Sequence, residues 1–124
     1  NSNSIKALES NLEANGVSSK CSVYFGDNRI TAAELQGVAN RVILGLLPSS
    51  QDGYSVAMRA LVEGRGMLHI HGVAPAKDHS SWAEEVMDEL LSIDPERSIE
   101  AVALIRVKNY APHWDHVVLD VSVN

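Results

Sequence analysis

Two features of this 124-residue sequence predict an α/β fold with a mostly parallel sheet and an antiparallel last strand. Short β-rich runs alternate with stretches of helical spacing, an order that implies right-handed crossovers between parallel strands. The chain then closes on two long β-rich runs separated only by turn residues, so the last strand folds back on its neighbour. The length leaves room for one hydrophobic core.

Taken in order, Ile5, Leu8 and Leu12 recur at three and four residues and Asn15-Gly16 stops the run. This predicts an amphipathic helix capped by Ser2 or Ser4. Cys21, Val23 and Phe25 alternate with Ser22 and Tyr24, which predicts a strand ending at Gly26. Thr31 to Gln36 reads as a short helical turn capped by Thr31 and closed by Gly37. Arg41 to Leu46 is apolar on both faces, the pattern of a strand in the middle of a parallel sheet with helices above and below, and it stops at Leu47-Pro48-Ser49-Ser50. Val56, Ala57, Ala60 and Leu61 mark a helix between Tyr54 and Val62, and Met67 to Val73 is the next apolar strand. Ser81-Trp82-Ala83-Glu84 has capping-box spacing ahead of a face made by Ala83, Val86, Met87, Leu90 and Leu91, and that helix ends before Pro95. Ile99 to Lys108 and Trp114 to Val123 form the closing hairpin across Asn109-Tyr110-Ala111-Pro112-His113.

Composition narrows the function. With 45% hydrophobic and 21% charged residues the chain can fold around a core. Sixteen acidic against ten basic residues give a net charge of −6, which argues against gripping a phosphate backbone by charge alone. The single Cys21 makes no internal disulfide, so a reducing, cytoplasmic setting is expected. No apolar run approaches the ~20 residues of a membrane span. The opening Asn1-Ser2-Asn3-Ser4, without Met and helical within a few residues, suggests the later part of a longer chain.

In parallel sheets the ligand crevice lies beyond the carboxyl ends of the strands. That rule nominates Gly26-Asp27-Asn28-Arg29, Leu47-Pro48-Ser49-Ser50, Gly72-Val73 and Tyr110-Ala111-Pro112-His113. Asp27 can accept hydrogen bonds from an exocyclic amine or a ribose hydroxyl, and Asn28 offers a donor and an acceptor, although Gly-Asp-Asn is also a common plain turn. Gly64-Arg65-Gly66 lacks a third glycine and precedes a strand where a dinucleotide phosphate loop follows one. His69 and His71 share a strand face, but the acid and third histidine, Asp78 and His79, lie too far along for the metallo-hydrolase motif, so no metal is expected. No G-x-S-x-G elbow surrounds Ser49 or Ser50. Arg106, Lys108 and Tyr110 alternate, as either a basic, aromatic patch or a solvated strand face, and Trp82 reads as the first anchor of its helix.

Four stretches acquire meaning together: Asn11 to Val17, Phe25-Gly26-Asp27-Asn28-Arg29, Val38 through Ser50, and Arg106 through His113. With Gly66 to His71 as a further strand, they resemble, in order and across essentially the whole chain, the tRNA wybutosine-synthesizing aminocarboxypropyltransferases, relatives of the tRNA guanine-37 N1-methyltransferases. The resemblance implies a Rossmann-like class I methyltransferase fold, with residues 1–124 as the C-terminal portion of one such domain, lacking its first two strands and their glycine-rich turn. It implies S-adenosylmethionine as substrate, with Asp27 and Asn28 at the adenine. It also implies transfer of the 3-amino-3-carboxypropyl group to 4-demethylwyosine at position 37 of tRNA(Phe), the tRNA being held by an N-terminal region outside this sequence.

Pro48, Ser49 and Ser50 fall where the related methyltransferases carry an Asn-Leu-Pro or Asn-Pro-Pro motif beside the reacting group, and are the expected catalytic residues. Leu46 stands in the place of that motif's Asn, a departure that favours the aminocarboxypropyl branch. A tRNA guanine-37 N1-methyltransferase and a non-catalytic interaction module are the alternatives. No general base is assigned.

Overall fold

Two units, Asn1–Glu34 and Leu35–Asn124, make up the computed structural model, which describes all 124 residues. In the first, helix α1 (Ser2–Ala14) is capped by Asn1, whose side chain accepts from the Ser4 N–H at 2.9 Å. The cap therefore precedes both expected serines: Asn1 reaches the third helical N–H, while Ser2 and Ser4 are already helical. Cys21–Phe25 runs without regular structure and is not the expected strand. An alternating run becomes a strand only when a neighbour supplies the ladder, and this segment has no strand partner. Helix α2 (Asn28–Thr31) starts three residues before the predicted turn and is capped by Asp27, with Thr31 as its last residue.

The second unit holds a four-stranded sheet in the order β1 (Arg41–Leu44), β2 (Gly66–Pro75), β4 (Trp114–Val123), β3 (Ile99–Ala111). β1 pairs parallel with β2, and β4 lies antiparallel between β2 and β3, as the alternation and the hairpin predict. Helices α3 (Tyr54–Ala60) and α4 (His79–Ile93) are the crossovers. Contrary to the sequence pattern, β1 is an edge strand, four residues long, with Ile43 exposed. A run apolar on both faces reports what the strand can bury, whereas its place in the sheet depends on which strands pair with it.

One face of the sheet carries the core. Leu68 and Ile70 of β2 and Leu119 and Val121 of β4 are fully buried against Ala57, Met58, Ala83, Val86 and Leu90 of the two helices. Burial alternates strictly along β2, so the opposite face presents Met67, His69, His71 and Val73. Asp78, three residues ahead of the predicted cap, caps α4 by accepting from the Ser81 N–H at 3.1 Å. The hairpin is tighter than the sequence suggests: β3 and β4 run on to Ala111 and Trp114, leaving Pro112 and His113 as the turn. Pro112 sets the first turn residue and His113 takes a φ of 69°. No helix is long and apolar enough to cross a membrane.

Candidate functional site

Asp27 and Asn28 lie in the first unit and Pro48, Ser49 and Ser50 in the second, and each group is described within its own unit. At Asp27 the Arg29 guanidinium closes an ion pair at 2.6 Å, and the Arg29 N–H donates to Oδ1 at 2.9 Å. These bonds, the side-chain one foremost, hold the Asp27 carboxyl at about 2. Asp27 is thus a carboxylate at neutral pH, able only to accept hydrogen bonds. Asn28 is exposed and opens α2.

The segment after β1 is tied to the sheet by its own polar groups. The Val73 N–H donates to the Pro48 carbonyl at 3.1 Å, and the buried Ser50 Oγ donates to the His71 carbonyl at 3.3 Å. Ser49 Oγ accepts from the Gln51 N–H at 3.2 Å, and the Gln51 amide reaches Glu89 of α4 at 2.7 Å. Between this loop and α4 lies a cleft of about 260 Å³, walled by Pro48, Ser49, Tyr54, Trp82, Glu85 and Glu89 among others. Trp82 anchors α4 as expected and also sets its indole against Gly72, where a Cβ would collide with the ring. Burial, and next the nearby Glu89 charge, push the Tyr54 hydroxyl up to about 12 against a hydrogen bond with Ser50, so Tyr54 stays protonated at neutral pH. Sequence reasoning missed Tyr54, Glu85 and Glu89 as site residues. Their only signal is that Glu85 and Glu89 fall one turn apart on one side of a well-marked helix.

Four of the five histidines make side-chain pairings, and His113 lies in the hairpin turn. His69 meets Asp120 at 2.5 Å and contacts Arg41; His71 Nδ1 faces His116 Nε2 at 2.9 Å; His79 meets Asp115 at 3.0 Å. Arg106 adds a second bond to the buried Asp115 at 2.8 Å. The alternation of Arg106 and Lys108 does not build a basic patch. Arg106 pairs across from Val117 but Lys108 from His116, because β3 bulges between them and the extra residue sends the two cations to opposite faces.

This polar edge makes stability fall with acid. Arg106 first and His79 next hold Asp115 below its ordinary 3.8, so the unfolded chain binds that proton more readily and the contribution is lost as pH falls through and below the carboxylate range. Burial, with His71 and Lys108 opposing a second positive charge, lowers His116 below 6.5, so the unfolded chain also takes up a proton first as pH falls below that value. The urea midpoint is therefore expected to drop between pH 7 and 5 and again below pH 4. His116→Gln should remove the first drop and Asp115→Asn should flatten the second; a midpoint level from pH 7 to 5 would contradict the His116 assignment, and one level below pH 4 would contradict the Asp115 assignment.

The strand order, the crossover helices and the reversed β4 are those of a Rossmann-like class I methyltransferase fold. No family model matches the sequence. The tRNA wybutosine-synthesizing protein 2/3/4 of Arabidopsis thaliana is 46% identical over 125 residues, covering 98% of this chain and 12% of that protein. The P. horikoshii TYW2, solved in complex with MeSAdo, superposes with a TM-score of 0.79 at 27% identity, covering 95% of this chain and 43% of that one. The methyltransferase relative Trm5b of Pyrococcus abyssi gives 0.75 at 28% identity over 97% of this chain and 34% of its own. The chain belongs to the tRNA wybutosine-synthesizing protein 2 family, and it spans less than half the length of each of these relatives.

Proposed function

We propose that the protein carrying this chain transfers the 3-amino-3-carboxypropyl group of S-adenosylmethionine to 4-demethylwyosine at position 37 of tRNA(Phe), in the cytoplasm. Residues 1–124 contribute the C-terminal part of its one transferase domain, and a preceding region holds the tRNA. The observation that carries the reading is the Leu46-Leu47-Pro48-Ser49-Ser50 segment beside an open cleft, in a chain related to TYW2 along nearly its whole length. A ring carbon of the base attacks the γ-carbon of the methionine arm; the carbon–sulfur bond breaks, its electrons stay on sulfur, methylthioadenosine leaves, and the ring carbon gives up its proton. The MeSAdo in the P. horikoshii structure is chemically that leaving group.

Which of the three carbons on a sulfonium moves depends on which one is held in line with the nucleophile. In this reading Asp27, ionised and accepting only, takes the exocyclic amine of the adenine, and Asn28 takes the ring edge. Ser49 on the cleft wall orients the arm or the base, and Ser50 holds the loop through the His71 carbonyl. Mass spectrometry of the nucleoside side product tests the reaction: methylthioadenosine supports it, whereas S-adenosylhomocysteine would assign a guanine-37 methyltransferase. Ser49→Ala with Ser50→Ala should lower turnover of the complete enzyme about tenfold, the worth of one or two oriented hydrogen bonds. Unchanged turnover would remove both serines from the reaction.

A further inference from the structure

The cleft between the Pro48 loop and α4 combines an aromatic wall with a one-sided charge pattern. Trp82 is half-buried with its ring against Gly72, Tyr54 closes the cleft as a buried, protonated phenol, and Glu85 and Glu89 supply two carboxylates. No Lys or Arg lines it. Such a site disfavours phosphate and carboxylate groups, which would meet like charge, and favours a flat, uncharged ring system with N–H donors on its edge. A cavity of about 260 Å³ has the volume of a small heteroaromatic base. Glu85 is exposed, and Glu89 is already positioned by its 2.7 Å bond from Gln51, so one carboxylate oxygen on each residue can accept from a guest.

We infer that this cleft is the acceptor-base subsite, in which Trp82 lies against the ring of the base and Glu85 and Glu89 accept from its N–H edge. The inference rests on the base-modifying reading given above and adds the residues that select its substrate. An ammonium group, such as that of the methionine arm, shares the preference for carboxylates and is also drawn to an aromatic face. What favours the base is the extent of the cleft, about 260 Å³ walled by Pro48, Val73 and Val86 as well as Trp82, more apolar surface than an ammonium head can cover.

The test uses the chain with Trp114→Phe, so that Trp82 is its single tryptophan, and follows its fluorescence. The 4-demethylwyosine nucleoside should quench Trp82 saturably, and Glu85→Gln and Glu89→Gln should each weaken its binding about tenfold, the loss of one charge-assisted hydrogen bond. Both variants keep their shape, so a fold defect does not mimic the result; unchanged circular dichroism checks this. L-methionine, the probe for an ammonium guest, should not quench.

Absence of saturable quenching by the nucleoside, quenching indifferent to both Gln variants, or quenching by L-methionine with the same Glu dependence would each overturn the assignment. Failure here is separable from failure of the proposed reaction, because the side-product assay reads chemistry and the quenching reads base binding alone.

Discussion

Leu68→Ala is expected to destabilise the protein by about 2–5 kcal/mol, the range for emptying a fully packed aliphatic site. Leu68 is fully buried in β2, aligned with Val42 of β1 on one side and Val121 of β4 on the other, and belongs to the cluster that joins the sheet to α3 and α4. Both strand neighbours are held in register by backbone ladders, so they cannot slide in to fill the space. Since domains of this size are stable by only about 5–15 kcal/mol, the loss is a large fraction of the total. Urea unfolding should show a lower midpoint with an unchanged slope. A loss below about 1 kcal/mol would mean that the helices collapse onto the gap.

Gly66→Ala should cost a comparable amount, about 2–4 kcal/mol, from two separate causes. Gly66 has a φ of 151°, which side-chain-bearing residues rarely adopt, and a Cβ there would strike the Asn40 carbonyl, backbone that has no rotamer to escape into. That carbonyl accepts the Met67 N–H at 3.0 Å, the first bond joining β2 to the chain entering β1. The variant should therefore lose hydrogen-exchange protection at Met67 before it loses any between β2 and β4. Gly45→Ala is the control: nothing lies within 4 Å of its added Cβ, and the change should stay within about 0.5 kcal/mol. Equal losses at both glycines would refute the steric account.

The two predictions separate what residue order can specify from what it cannot. The helix over His79–Ile93 was legible because five apolar side chains at helical spacing need only their own segment to form a face, and its cap was misplaced because Asp78 accepts from the Ser81 N–H and starts the helix three residues earlier. The strand at Cys21–Phe25 failed as an expectation for a different reason, since pairing requires a partner that no local pattern names. Arg106 and Lys108 illustrate a third case: one inserted residue in β3 reverses the side chain that follows, and only pairing with β4 reveals the bulge.

For the candidate site, the rule that ligands lie past strand ends nominated Asp27 and the Pro48–Ser50 loop from the sequence; in the structure only the loop follows a strand, since Cys21–Phe25 is not one. The wall facing that loop could not be read there, because Trp82, Glu85 and Glu89 stand more than thirty residues away and reach Pro48 only when α4 folds back over β2. The alternation of strands and helices, the reversed last strand and the position of the loop after β1 are properties of residue order, since each follows from periodicity and turn chemistry within a short window. The edge position of β1, the pairing of four of the histidines and the cleft itself were decided by tertiary structure, since each depends on which distant backbone supplies the neighbouring ladder or the opposite wall.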